Sequence, residues 1–440
     1  MVYQQCSGPL NTPSNEAMAL LTGEGETNRP GPTLSLLADE MTIRRVLADW
    51  FELIHPLAPI LHRRQFMQRL DCAEADSNPT FCALVISVCA ATAATLRRKS
   101  YTDYGTITVE RCALLINTWK MLKDEGPFTL EWCLAKYNLG TATMAVSSPD
   151  DPRIYRMRAE VQAGVTYLVH YRLVDLPLLE QELLKRIYWL LVIWTIGSGI
   201  SGRPFLGMVS THEGYAHLRP KVITDHELDG NPKTPADPLQ PCRYDDISYI
   251  PGLNSLIDIF LVWQHAQQTR LQNLTFEHIL TSSLASIQRT IDALPPELRW
   301  RGGLSRPAHV TCGHDVQIAN IFITSLYMRS NLVQQFGNRS HGAQHHGLVS
   351  DLLKVLHHLP QFVLEANGTR LIPKIRDIGA AYLNELKVGS TRVVADPISE
   401  VKLKQLIERL DALDYWSDPT MMRLESSVSP LDPDCRHREG

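Results

Sequence analysis

The stretch from Lys185 to Pro204, KRIYWLLVIWTIGSGISGRP, constrains the fold more than any other part of the chain. After two basic residues it runs from Ile187 to Gly202 without a charge, and apolar residues fall on every face of a helix. Such a helix is buried on all sides. The uncharged run is about 16 residues, below the roughly 20 that a membrane span needs, so a core helix is predicted. The glycines and Pro204 predict that this helix stops near Gly199.

The same glycines, Gly197, Gly199 and Gly202, also spell G-x-G-x-x-G, the dinucleotide-binding fingerprint. In that interpretation VIWTI is a buried strand, and a pyrophosphate lies at the start of the following helix. The motif requires a helix directly after the glycines, whereas Pro204 falls within the turn that should start it. An NAD(P) oxidoreductase is therefore a disfavoured alternative, and glycines that end a core helix are the preferred interpretation.

The composition, 44% hydrophobic and 20% charged over 440 residues, is that of a soluble globular protein of one or two domains. A net charge of −4 provides no overall electrostatic footprint for nucleic acid. The N-terminal residues lack the basic and apolar regions of a secretory signal, and no apolar window reaches membrane length, so no membrane association is expected. Nine cysteines without a C-x-x-C pair are typical of a reduced intracellular protein.

Helical periodicity runs through most of the chain, and few segments alternate with the period of a strand. We therefore predict an all-α protein, a large irregular multi-helix domain with no significant sheet and about 12 to 15 helices. This domain is expected at residues 34–418, with a long, proline-rich irregular loop at about 205–249. Residues 1–33 are expected to form a disordered tail, and residues 419–440 a flexible one. The late segment HDVQIANIFITSLYMRSNLVQQF is predicted to be an amphipathic helix.

No catalytic, cofactor-binding or metal-binding residues are predicted, and the chain is expected not to be an enzyme. The H-E-x-x-x-H pattern that begins at His212 is one residue longer than the zinc-protease motif. Asp245-Asp246 lacks the third acid of helical isoprenoid enzymes, and no phosphate-binding loop or nucleophile signature occurs. Three basic clusters are interpreted as solvated helix ends: His62-Arg63-Arg64, Arg97-Arg98-Lys99 and Lys185-Arg186.

A set of spaced motifs occurs along the chain: DWFELIHPLAPILHRRQF, KRIYWLLVIWTIGSGISGRP, ITDHELD, LPPELRW and NIFITSLYMRSNL. In this order, over about Thr42 to Phe336, they resemble the fungal-specific transcription factor domain, the middle homology region of zinc-cluster regulators. In that family Gly-Arg-Pro closes a helix. The signature positions are occupied by His55, Pro56, Pro59, His62, Phe66, Trp189, Gly202, Arg203 and Pro204. We expect a structural role for these residues.

Two departures from the family pattern affect the expected contacts and the expected function. The family usually has Asp-Arg at the positions of Trp194 and Thr195, so a polar contact of the usual helix is lost or replaced. The six-cysteine zinc cluster, C-x2-C-x6-C repeated, is absent, and only Cys6 lies upstream of Leu34. That cluster bridges two Zn²⁺ ions and carries a helix into the major groove, so sequence-specific DNA binding by this chain is not expected.

The resemblance implies a nuclear transcription regulator, here the regulatory, effector-sensing helical domain without its own zinc cluster. The partners that it implies are other transcription regulators or a DNA-binding partner, and a small-molecule effector. It also implies a homodimer and no cofactor. The alternative is a helical enzyme or small-molecule-binding protein that reuses the scaffold, which a deep pocket with convergent polar groups would favour. The guanidinium of Arg203 is expected to be buried against helix-end carbonyls or a carboxylate, with an anionic effector as the alternative contact.

Overall fold

The computed structural model describes residues 33–123, 126–148, 151–203, 215–231, 246–272, 275–303, 306–307, 309–337, 344–389 and 397–414. Within these ranges there are sixteen α-helices and no strand, which confirms the predicted all-α fold. The segments predicted to be tails, and most of the loop predicted at about 205–249, lie outside the described residues. The buried apolar side chains of both halves of the chain form one continuous cluster.

The first half of the chain packs around two apolar helices, α3 and α6, which lie against each other. Its helices are α1 (Glu40–Asp49), α2 (Arg63–Asp71), α3 (Pro79–Thr95), α4 (Arg97–Asp103), α5 (Val109–Thr118), α6 (Leu130–Val146), α7 (Pro152–Tyr171) and α8 (Leu178–Ile200). The side chain of Asn78 caps α3, with Pro79 in its first turn, as the Asn-Pro signal predicts. At Gly164 of α7 an added Cβ would lie 2.8 Å from the Cys133 sulfur, so this glycine permits the close approach of α6 and α7.

The second half packs around α12, which contacts α10, α11, α13, α14 and α15. Its helices are α9 (Asp225–Leu228), α10 (Ile250–Arg270), α11 (Phe276–Asp292), α12 (Cys312–Phe336), α13 (Gln344–His358), α14 (Gln361–Asn367), α15 (Ile372–Gly389) and α16 (Pro397–Asp414). The helix predicted at α12 is present, but its predicted amphipathic character is wrong, because the helix is buried on nearly all sides between Gly313 and Met328. Gln317, Asn320 and Thr324 of this helix make hydrogen bonds inside the protein.

Helix α8 is the predicted core helix, and it ends at Ile200 as expected. Every residue from Glu182 to Val192 is buried, which confirms the prediction for this part of the helix. The prediction of complete burial is wrong for residues 193–200, which are partly or largely exposed. Because the helix continues through Gly197 and Gly199 and no strand precedes them, the dinucleotide-loop interpretation is wrong.

The end of α8 is a Schellman cap in which Gly202 has the left-handed conformation, with φ +71°. The amide of Arg203 donates to the carbonyl of Ser198 at 2.8 Å, and the amide of Gly202 donates to the carbonyl of Gly199 at 3.1 Å. The predicted structural role of Gly202 follows from this geometry, since a residue with a side chain is strained at this φ.

Among the described residues, one helix, α8, is long and apolar enough to cross a membrane by length and composition. Helices α3 and α4 pass the same test as a pair, but the pair is bent by 109°. The first half of α8 carries Glu182, Lys185 and Arg186, which are buried inside the protein with hydrogen-bond partners. This packing is that of a core helix.

Candidate functional site

Three separate parts of the chain meet around the residues that carry the family resemblance. They are the segment 55–66, the first half of α8, and residues 215–229 together with Tyr249 at the start of α10. We call this meeting point the signature junction. Its contacts join positions that are between 29 and 261 residues apart in the sequence.

Pro56 is held against α10 and α12 by the side chain of Gln317. The Nε2 atom of Gln317 donates to the carbonyl of Pro56 at 2.8 Å and to the carbonyl of Tyr249 at 2.7 Å. An added Cβ at Gly313 would lie 2.6 Å from Cγ of Pro56 and 2.4 Å from the Tyr249 hydroxyl. The glycine at 313 is therefore required for the approach of α12 to this proline.

His55 lies in an aromatic cage. Its ring centroid is 5.3 Å from that of Trp50, 5.6 Å from that of Phe51 and 6.0 Å from that of Tyr249. Burial, with a smaller contribution from the charge of Arg186, lowers the pKa of His55 to about 3. The imidazole is thus neutral near pH 7 and serves as a packing element.

His62, Arg63 and Arg64 contact the acidic segment that contains α9. The Nδ1 atom of His62 accepts from the amide of Gln65, so its Nε2–H donates to the carbonyl of Asp225 at 3.1 Å and approaches the Asp229 carboxylate at 3.3 Å. The amide of Arg63 donates to the Asp225 carboxylate at 3.0 Å, and the guanidinium of Arg64 pairs with Asp229 at 3.1 Å. Two motifs of the resemblance therefore bind each other directly.

Helix α8 contributes the other contacts of the junction. Arg186 donates from Nη1 to the carbonyl of Pro59 at 3.0 Å, and Trp189 donates from Nε1 to the carbonyl of Leu218 at 2.9 Å. The fully buried carboxylate of Glu182 accepts from Lys185 at 2.7 Å and from the amide of Lys221 at 2.9 Å. These contacts satisfy charges that would be costly to bury alone.

The interpretation of the three basic clusters as solvated helix ends is wrong for His62 and for Lys185-Arg186, which are buried. Arg64 and Arg98 are exposed, although each pairs with an acidic residue of the same chain. His62-Arg63-Arg64 and Lys185-Arg186 belong to the junction. Arg97 donates to the carbonyl of Ala145 at the end of α6, Arg98 pairs with Glu365 at 3.2 Å, and Lys99 pairs with Asp49 at 2.6 Å. The clusters connect helices of the same chain.

The remaining signature residues have different environments. Phe66 packs between Phe51 and Phe81, with ring centroids at 5.8 and 5.5 Å. The side chain of Arg203 is exposed, so the expectation of a buried guanidinium is wrong, and its backbone amide contributes to the cap of α8. Pro204 lies outside the described residues.

Arg158 of α7 makes polar contacts with α8 next to Trp194 and Thr195, the positions where the sequence departs from the family pattern. Its guanidinium donates to Thr195 at 2.9 Å and to Ser198 at 2.8 Å, and it lies 5.1 Å from the ring centroid of Trp194. Burial lowers the pKa of Arg158 to about 10, so the side chain is charged near neutral pH. A cation on the neighbouring helix thus meets the hydroxyls and the indole of α8.

A separate cleft of about 230 Å³ lies between the loop that follows α11 and the turn from α13 to α14. Trp300, Arg301, Arg306 and His358 line the cleft, and Asp315 and Ile318 of α12 also contribute. Both guanidiniums bind the same carboxylate: Arg306 contacts Asp315 at 2.7 Å, and Arg301 contacts its other oxygen. The cleft combines aromatic, apolar and cationic surface.

The positive charge of this cleft acts on the neighbouring histidine His314. Burial lowers the pKa of His314 to about 4, and the charges of Arg301, His309 and Arg306 lower it further in the same direction. His314 is therefore neutral near pH 7, where its Nδ1 accepts from the amide of Thr311 at 3.1 Å in a capping box at the start of α12. It adds no positive charge to the cleft.

Lys374 of α15 is a further titratable group that the sequence did not indicate. Its Nζ lies 2.7 Å from the hydroxyl of Thr324 and 3.3 Å from the amide oxygen of Asn320, and 6.0 Å from the ring centroid of Phe260. Burial, followed by the charge of Arg370, lowers the pKa of Lys374 to about 7. The ammonium group is partly deprotonated near neutral pH.

Within the described ranges, no group of three or more His, Cys, Asp or Glu side chains is arranged to hold a metal ion. The H-E-x-x-x-H pattern begins at His212, which lies outside those ranges. Burial raises the pKa of the thiols of Cys82, Cys89 and Cys133 to about 12, so these cysteines are protonated and packed as small apolar side chains.

The comparisons with known proteins give no family. No protein family model matches the chain, and no curated protein or solved structure is similar to it. The fold and the contacts describe an all-α protein that has a signature junction and a cleft lined by cationic and aromatic side chains.

Proposed function

We propose that this chain is the regulatory, effector-sensing helical domain of a transcription regulator of the fungal zinc-cluster type. It acts in the nucleus, and contact with DNA comes from a partner or from a separate zinc-cluster domain. The observation that carries the proposal is the signature junction. Motifs that were matched to the family by their order along the chain contact one another through specific hydrogen bonds.

This convergence supports the resemblance because the motif residues satisfy each other's polar groups. His62 and Arg64 bind the acidic segment, and Arg186 binds the carbonyl of Pro59. A buried polar group needs a partner, so such residues occur in matched sets.

The first experiment fuses the chain to an unrelated DNA-binding domain upstream of a reporter gene. We expect the fusion to change expression at least severalfold relative to the DNA-binding domain alone. Arg186→Gln, which removes the charged contact with Pro59, should abolish that change at equal protein level. Arg156→Gln, an exposed arginine on α7, is the matched control and should behave like the unchanged chain.

A fusion that is folded and helical by circular dichroism, but leaves the reporter at the level of the DNA-binding domain alone, contradicts the proposal. A second arm titrates the purified chain with selected and random DNA at fixed salt. A selected site bound about 10³-fold more tightly than random DNA would show intrinsic specific binding and would overturn the partner-supplied contact.

A small-molecule-binding protein that reuses the scaffold is the second candidate function. The cleft beside Trp300 favours it, because aromatic and charged side chains converge there on one volume of about 230 Å³. An enzyme is not favoured by the same residues, since Arg301 and Arg306 are bound to Asp315 and are not arranged around a nucleophile.

A further inference from the structure

We propose that the cleft formed by Trp300, Arg301, Arg306, Asp315, Ile318 and His358 binds a small aromatic carboxylate. The proposal concerns binding by the purified chain and does not require a role in transcription. If the proposed function is correct, the ligand would be the effector of this domain.

The charge of the cleft favours an anion. Two guanidiniums face one carboxylate, so the three side chains carry a net positive charge. Each guanidinium has five N–H donors, and a single Asp315 oxygen uses only part of that capacity. The side chain of Arg306 is 37% exposed and is accessible to a solute, whereas that of Asp315 is 9% exposed and fixed between the two arginines. A planar carboxylate matches the fork of a guanidinium better than a spherical anion does.

The walls of the cleft favour a flat ring attached to that carboxylate. The indole of Trp300 is supported from behind by Phe322, at 5.7 Å between ring centroids, and meets His358 edge-on at 6.0 Å. The Nδ1–H of His358 donates to the carbonyl of Lys354 at 2.7 Å, which fixes the orientation of the imidazole. Rigid aromatic walls bind a ring with little loss of side-chain entropy.

The size of the cleft restricts the ligand to a small one. Its volume of about 230 Å³ corresponds to roughly eight water molecules at about 30 Å³ each. This is the space of a single ring with one carboxylate group, and it is below the size of typical drug-binding pockets. For a ligand with so few atoms, a Kd on the order of 1 mM is expected.

The loop that carries Trp300 and Arg301 is held close to α13 by glycine. Gly302 and Gly303 have φ values of +58° and +86°, and an added Cβ at Gly303 would lie 2.6 Å from Cδ2 of His358. The loop therefore defines the width of the cleft. A side chain at 303 would displace the imidazole of His358, which lines the cleft.

The test measures binding of benzoate to the purified full chain by ligand-observed NMR, with benzamide, acetate and inorganic phosphate as comparison probes. We expect benzoate to bind, and the other probes to bind at least about fivefold more weakly, because benzamide lacks the charge and acetate and phosphate lack the ring. Arg306→Gln should weaken benzoate binding about tenfold by removing one charged donor. Arg156→Gln should leave it unchanged.

The variant Asp315→Asn separates this site from non-specific binding. Removal of the competing carboxylate should strengthen benzoate binding about three- to tenfold, since both guanidiniums lose their internal anion. Circular dichroism and a thermal melt check that this variant is folded, and Gly303→Ala, expected to weaken binding, provides a second measure of cleft shape. The proposal is overturned if benzoate shows no binding at about 10 mM, if Arg306→Gln binds normally, or if benzamide or phosphate binds equally well.

The two proposals can fail separately. Benzoate binding that is lost in Arg306→Gln, together with an inactive reporter fusion, would leave the cleft established and the transcription role wrong. An active reporter fusion, together with no binding of benzoate, would support the transcription role and show that the proposal for the cleft is wrong.

Discussion

Replacement of Lys374 by Met is expected to stabilise the protein near neutral pH, by an amount that disappears as the pH approaches 10.5. The ammonium group of Lys374 has two neutral neighbours, Thr324 at 2.7 Å and Asn320 at 3.3 Å. Burial and the charge of Arg370 disfavour its protonated form and lower its pKa from 10.5 to about 7. The folded protein therefore carries a lysine whose charge opposes folding.

The sign of the pH dependence follows from proton binding. Between about pH 7 and pH 10.5 the unfolded chain keeps the Lys374 proton and the folded chain loses it, so stability increases with pH across this window. At about 1.4 kcal/mol per pKa unit, a difference of about 3.5 between the two pKa values corresponds to about 5 kcal/mol. Lys374 is partly exposed, and solvent screening reduces this figure, so we expect about 2 to 4 kcal/mol.

The assay is urea denaturation of both proteins at several pH values from 6.5 to 10.5, with the difference in unfolding free energy as the result. This difference cancels the titration of all other groups, and the packing of Met contributes a constant offset. Lys387→Met, at an exposed position of the same helix, is the control and should give a flat difference. Parallel stability curves for Lys374→Met and the unchanged protein would refute the argument that burial lowers this pKa.

Two further predictions concern the ends of α8. Gly202→Ala should lower the unfolding free energy by about 1 kcal/mol, because the φ of Gly202 is +71°. Gly199→Ala should stabilise the protein by up to about 1 kcal/mol, because Gly199 lies within the helix and no heavy atom is within 4 Å of the added Cβ. Thermal melts compare the two variants, and equal effects would contradict the cap. Glu182→Ala should destabilise by about 3 to 5 kcal/mol, since Lys185 would remain buried without its partner, and a loss below about 1 kcal/mol in urea denaturation would show that water reaches this pair.

Helix α8 shows how far its sequence could predict the fold. The uncharged run, the glycines and the proline specify a helix and its end, because these are local properties of the backbone. Local properties do not specify which face meets a neighbour. Burial therefore stops at Val192, although the composition of residues 193–200 is equally free of charge.

The sequence identified residues of the signature junction, but it did not identify which of them contact each other. The motifs identified His62 and the acidic segment around Asp225, yet the hydrogen bond between them spans 163 residues of sequence. Arg203 shows the opposite error, since the motif suggested a buried side chain, while the structure uses its backbone amide and exposes its guanidinium. A motif identifies a position, but it does not indicate whether the backbone or the side chain of that residue makes the contact.

The cleft had a signal in the sequence that was not recognised. The run WRGGLSRP places two arginines beside a tryptophan and two glycines, a combination that suits a turn carrying cationic side chains. Both arginines of the cleft bind Asp315, which could not be distinguished in the sequence from a solvated helix residue. Only the fold brings the carboxylate of Asp315 between Arg301 and Arg306.

The first turns of α12 contact the cleft, the signature junction and Lys374. Asp315, Gln317 and Asn320 are polar residues in a buried segment, and each contacts a different part of the chain. Asp315 binds the arginines of the cleft, Gln317 binds the carbonyl of Pro56 in the signature junction, and Asn320 contacts Lys374. Successive residues of a helix are rotated by about 100°, so positions 317 and 320 share one face, and position 315 is rotated by about 140° to 160° away from them. A single buried helix thus connects the cleft, the junction and the titratable lysine, and a substitution that shifts this helix should affect all three.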